Sequence, residues 1–140
     1  MRVRCINEEL TEEEVKATGL PPGRWDLTVG KEYLVLGITI PLGNPAHPRG
    51  VGLEIERDGG TVLTIPLALF EITDDRVSRF WKARVLETPV GRCLCLWPEE
   101  FYATYFFDDL SEGFPEVVRT YLAVRERLER EFEEPEEDEY

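Results

Sequence analysis

The three cysteines, Cys5, Cys93 and Cys95, and the single histidine, His47, are the residues of this chain whose types suit metal binding or nucleophilic chemistry. Thiolate and imidazole are preferred tetrahedral zinc ligands, so the four residues have the composition of a Cys3His set. Their spacing argues against it. Structural zinc sites favour a Cys-x-x-Cys knuckle, whereas Cys93-Leu94-Cys95 on a strand spreads two thiols along one face. A cysteine nucleophile needs an adjacent base, and His47 lies between Ala46 and Pro48, far in sequence from every thiol. Buried, reduced thiols and an ordinary loop histidine are the expected reading, since free cysteine is among the most buried residue types.

Asp74-Asp75 and Asp108-Asp109 offer paired carboxylates, the groups that general acid-base work or magnesium binding requires. Adjacent acids more commonly serve as turn and cap residues, and both pairs lie at expected breaks. Arg76, Arg79, Lys82, Arg84 and Arg92, interleaved with Phe80 and Trp81, form the one locally basic segment. Bases around aromatics suit single-stranded nucleic acid. In a chain with 29 acidic and 16 basic side chains, pairing with neighbouring acids is the favoured account. Tyr102, Tyr105, Phe106 and Phe107 suit either an interface hot spot or a sealed junction with a terminal helix, the latter being favoured. Trp25, Trp81, Trp97 and Tyr105 are the expected lining of any small-molecule pocket between the β-core and that helix, with Arg79 and Asp108 as its polar groups. No Gly-rich phosphate loop, HExxH or GxSxG is present, so no cofactor is expected and catalytic residues are not assigned.

The elements that must position these residues centre on residues 27 to 81. Tyr33, Val35, Gly37 and Thr39 alternate with Leu34, Leu36, Ile38 and Ile40, a period of two that predicts one half-buried strand with the even residues inward. Leu53 and Ile55 alternate with Glu54 and Glu56, which predicts aliphatics inward and both carboxylates outward. Arg57-Asp58-Gly59-Gly60-Thr61 is a hairpin turn, Thr61 to Ile65 the return strand, and Pro66 its end. Ala68 to Ile72 resumes the β pattern, Val77 to Leu86 reads as an edge strand, and Arg92 to Trp97 is apolar on both faces and therefore covered on both.

Arg2 to Ile6 is a short strand. Thr11 and Glu14 form a capping-box pattern for a helix that Gly19 stops. Pro41 to Gly50, with three prolines and the histidine, is a long loop of the kind that carries function. Pro98-Glu99-Glu100-Phe101 starts like a helix. From Pro115, Val117, Tyr121, Val124, Leu128 and Phe132 recur at helical spacing, which predicts an amphipathic helix over 115–132.

The pattern Leu27-Thr28-Val29-Gly30-Lys31-Glu32-Tyr33-Leu34-Val35, a later hairpin closed by Asp58-Gly59-Gly60, and then Pro66-Leu67-Ala68-Leu69-Phe70-Glu71 resembles the small SH3-like barrels of uncharacterised bacterial and phage proteins. The likeness covers the middle third, with Phe70 as a barrel plug. It implies a mainly β, α+β fold, a small antiparallel barrel over about 27–97 with the terminal helix packed on it. It transfers no catalytic residue, because such barrels bind many things.

At 140 residues and 42% hydrophobic, the chain suits a single domain over 1–132, with 133–140 an acidic disordered tail. Six of the 29 acids lie in 133–140, and the body is acidic without them. An acidic surface repels phosphate backbones and anionic lipid and favours basic partners. No apolar run long enough for a membrane span and no signal-peptide core are present, which leads to the expectation of a cytoplasmic protein, monomer or homodimer. The functional expectation is a non-catalytic module that binds another, basic protein, in its most concrete form an immunity-type protein that neutralises a basic toxin domain. The alternatives are a small-molecule-binding domain or enzyme with the pocket named above, and single-stranded nucleic-acid binding through Arg79, Lys82 and Arg84.

Overall fold

The computed structural model describes residues 1–43, 49–89 and 91–133. His47 and the tail beyond residue 133 lie outside them. Among the described residues, eight strands and three helices follow in the order β1 (Arg2–Cys5), α1 (Glu12–Thr18), β2 (Glu32–Leu34), β3 (Gly37–Pro41), β4 (Gly52–Glu56), β5 (Val62–Pro66), β6 (Phe70–Asp74), β7 (Trp81–Thr88), β8 (Gly91–Pro98), α2 (Phe106–Ser111) and α3 (Pro115–Arg130). Short 3-10 turns at Leu67–Leu69 and Glu99–Tyr102 lead into β6 and towards α2.

The fold is mostly β with helices added. The strands form two antiparallel sheets, one in the order β2-β1-β6 and one in the order β5-β4-β3-β8-β7. Among the described residues no ladder joins the two sheets into a closed barrel. The run 33–40, expected as one strand, is two: β2 pairs with β1 in the small sheet, and β3 pairs with β4 and β8 in the large one. The chain changes sheet at Val35-Leu36, and the inward face changes with it. Tyr33 and Val35 are buried between the sheets, while Leu36 is buried beneath α3. Strict alternation therefore fails at the crossing.

Two cores lie on the two faces of the five-stranded sheet. The first packs Leu53, Ile55, Ile65 and Trp81 against Val3, Cys5, Tyr33, Val35, Leu69 and Phe70. Phe70 meets Tyr33 edge-on at 6.2 Å. The second packs Leu36 with Phe101, Phe106, Tyr121, Val124 and Leu128. Three of the five stripe positions expected in α3, Tyr121, Val124 and Leu128, are fully buried.

Local chemistry sets the boundaries. Thr11 and Glu14 make a reciprocal capping box on α1, and Gly19 in the left-handed region ends it. The β4–β5 hairpin closes through bonds from the Arg57 amide to the Thr61 carbonyl and from the Gly60 amide to the Arg57 carbonyl, with Gly60 at φ 92°. The extended run expected from Val77 begins only at Trp81, because the Ser78 hydroxyl accepts from the Phe80 amide and its carbonyl from the Trp81 amide, which makes a turn of 78–80. β7 is an edge strand, as its mixed faces imply.

Candidate functional site

Glu54 is the residue around which the site is built. Its place in β4, alternating with Leu53 and Ile55, predicts an outward carboxylate, yet it is only 2% exposed. The reason is register. Glu54 pairs with Thr64 of β5 on one side and Gly37 of β3 on the other, and Trp97 of β8 leans across from the next strand. The Thr39 hydroxyl donates to Glu54 Oε1 at 2.5 Å, and the Trp97 indole Nε1 donates to the same oxygen at 3.0 Å. The Thr64 hydroxyl donates to Oε2. Both carboxyl oxygens are thus satisfied inside the fold, as burial of such a group demands.

Two glycines clear the space for these partners. A Cβ on Gly37 would lie 2.8 Å from Trp97 Cδ1, and one on Gly52 would collide with the Thr64 methyl. Glycine within a strand marks such close approach. Burial pushes the Glu54 pKa up, and the three donors pull it only part of the way back. Cys95, beside it on β8, has its thiol pushed up to about 12 by burial and by the Glu54 carboxyl.

A groove of about 450 Å³ opens on this half of the sheet. Its sheet side is formed by Thr39, Gly52, Thr64, Cys93, Cys95 and Trp97, the residues in contact with or flanking Glu54. Leu20, Pro21 and Trp25 come from the connection after α1, and Arg49 and Val51 from the segment before β4. Trp25 is held there because its amide donates to the Glu8 carbonyl at 2.9 Å, next to the bridge between Glu9 and Arg24. Trp97 divides the groove from the aromatic core. Its ring stacks on Tyr102 at 5.0 Å and meets Phe107 edge-on at 5.4 Å.

Of the residues expected at a pocket, Trp25 and Trp97 both line the groove, Trp25 also packing against the inter-sheet core, and the others do not line it. Trp81 is buried in the inter-sheet core, where its indole donates to the Leu36 carbonyl at 2.9 Å. Tyr105 caps α2 at φ 60° and is 70% exposed. Asp108 is exposed on α2. Arg79 lies over Phe80 at 4.9 Å, and its amide donates to Glu131 of the C-terminal segment. Within the basic segment Arg84 pairs with Glu99 and lies over Tyr102, and Phe80 is also covered by Arg127, which grips Glu100 with two bonds of 2.9 Å.

The thiols separate too. Cys5 lies in the inter-sheet core and donates to the Asn7 carbonyl, whereas Cys93 and Cys95 face the groove on the other side of the large sheet. Among the described residues no group of three His, Cys, Asp or Glu side chains is placed to hold a metal ion, and His47 lies outside those residues. No helix among them is long and apolar enough to cross a membrane.

No family model matches this chain, and neither a curated protein nor a solved structure matches it. The site therefore rests on its own geometry. Glu54, Thr39, Thr64 and Arg49 were not legible as site residues in the sequence. The one available signal was a pair of glycines, Gly37 and Gly52, inside otherwise regular strand patterns.

Proposed function

We propose that this protein binds a small, largely apolar molecule in the groove on the open half of the five-stranded sheet. The observation that carries this reading is the union of Trp25 and Trp97 in one cavity whose sheet side is backed by the buried, fully bonded Glu54. A cavity of this volume, apolar with a few convergent polar groups and a perturbed carboxyl, is the usual form of a ligand site. Binding is favoured over nucleophilic catalysis, because the Cys95 thiol is held protonated by burial and by the neighbouring carboxyl. The SH3-like barrel belongs to the same proposal: the direct run of β2 into β3 is the corner by which such barrels carry a strand from one sheet to the next.

The three tryptophans supply the test. In an NMR screen of small aromatic and aliphatic compounds, a ligand in the groove shifts the indole N–H signals of Trp25 and Trp97 and leaves that of Trp81 in place. A screen in which ligands move Trp81 as much as the other two, or move none, refutes the groove as a binding site.

A second reading, the interaction module for a basic protein and its immunity-type form, is favoured by a different cleft. Between the β4–β5 hairpin and the helices, Val62, Leu110, Val118 and Leu122 line about 400 Å³ of space, with Leu122 43% exposed in a chain of net charge -13. Apolar anchors within an acidic surface suit a basic partner. Capture of one basic protein by the wild-type chain but not by Leu122→Asp supports this reading. Failure to recover any protein at moderate salt removes it.

A further inference from the structure

We infer that the groove's occupant is an aromatic carboxylate, its ring against Trp25 and Trp97 and its carboxylate on the Arg49 guanidinium. This inference rests on the binding reading above and names the class of ligand. Arg49 is the one charged side chain among the described residues that line the groove. Its Nε is shielded from solvent and has no hydrogen-bond partner among the described residues. None of the ion pairs among those residues includes it.

That isolation runs against composition. Acids outnumber bases 29 to 16 in this chain, and an arginine set in an otherwise apolar cleft gains most from a carboxylate partner. Guanidinium is planar and donates in a fork that matches a carboxylate with two parallel bonds. A phosphate monoester fits less well. A dianion calls for more than one cation, and here a single arginine faces a cleft backed by the Glu54 carboxyl. The two indoles favour a flat ring over an alkyl chain, because ring faces stack with an attraction beyond the area they bury.

Isothermal titration with 2-naphthoate and with its uncharged counterpart 2-naphthalenemethanol, on the wild-type protein and on Arg49→Gln, separates the possibilities. The expected result is that wild type binds the carboxylate at least about tenfold tighter than the alcohol, a typical gain for a charge-assisted bond. Arg49→Gln is expected to abolish that preference, the carboxylate losing far more affinity than the alcohol. Equal affinities for the two probes in wild type, or a preference that survives Arg49→Gln, overturns the assignment of a carboxylate while leaving the groove as a binding site. Binding of neither probe, with the Trp25 and Trp97 indole signals unmoved, refutes the binding reading itself. Should Arg49→Gln not fold, the ratio of affinities in wild type, and its decline as salt is raised, still decides the matter.

Discussion

Replacement of Glu54 by glutamine removes a charge and keeps its bonds, and this substitution tests the account of the site most directly. The amide oxygen takes the place of Oε1 and accepts from the Thr39 hydroxyl and the Trp97 indole. The amide nitrogen takes the place of Oε2 and donates to Thr64, whose hydroxyl turns from donor to acceptor. Because burial raises the Glu54 pKa in the folded state, the folded protein holds this proton more tightly than the unfolded chain does. Stability therefore falls as pH rises from the unfolded value, about 4.3, to the raised folded value, at a limiting slope of about 1.4 kcal/mol per pH unit. Glu54→Gln abolishes this slope. Glu54→Ala also removes the charge, but it strands donors on Thr39, Thr64 and Trp97 around a new cavity. Orphaned buried donors cost about 1–3 kcal/mol each, and their partial rescue by one another leaves a loss on the order of 3 kcal/mol. Urea unfolding of the three proteins from about pH 4 to pH 8 reads both quantities as midpoint shifts at constant m. The expected order at the alkaline end places Glu54→Gln at or above wild type and Glu54→Ala well below. Wild-type and Glu54→Gln stabilities that run parallel with pH would mean that burial does not raise the Glu54 pKa, and a glutamine variant as weak as the alanine one would mean that the three donors are not held as described.

Three further outcomes follow from the same physics. Asp58 accepts from Lys31, Thr28 and Tyr33, which hold its pKa at about 2, below the ordinary 3.8. Its contribution to stability is thus complete above about pH 4 and lost as pH falls towards 2, so melting curves of wild type and Asp58→Asn should converge over that interval. Parallel curves there would contradict the network. With its thiol at about 12, Cys95 should resist alkylation in the native protein near pH 8 and react once the protein is unfolded, as mass spectrometry of iodoacetamide-treated protein can follow. Early native labelling of Cys95 would count against its burial. Gly37→Ala should push the Trp97 ring off Glu54 and cost about 1–3 kcal/mol in urea unfolding, with a change in the Trp97 indole shift; an unchanged shift would mean the ring has room to spare.

Structure with local causes is legible from residue types and their spacing. The capping box at Thr11 and Glu14, the stop at Gly19, the hairpin at Gly59-Gly60, the end of β5 at Pro66 and the α3 stripe through Tyr121, Val124 and Leu128 all depend on neighbours a few residues away. Of the aromatics expected to seal a junction with the terminal helix, Phe106 and Phe107 meet edge-on and pack with Phe101, whereas Tyr105 is exposed.

Which face of a strand is inside, and which residues meet, depends on how strands pair across the whole fold. Residues 33–40 carry an unbroken period of two, but a chain that crosses from one sheet to the other exchanges its inward face at Val35-Leu36, and no local pattern records the crossing. Glu54 reads as solvated by alternation and is buried because Thr64, Thr39 and Trp97, at separations of 10, 15 and 43 residues, converge on it through strand register. Trp25 and Trp97 share a groove while Trp81 lies in the inter-sheet core and Tyr105 on the surface, a division set by strand order rather than residue type. Side-chain chemistry is written residue by residue, but the partner that gives a buried carboxyl or an isolated arginine its meaning is assigned only when distant strands pair.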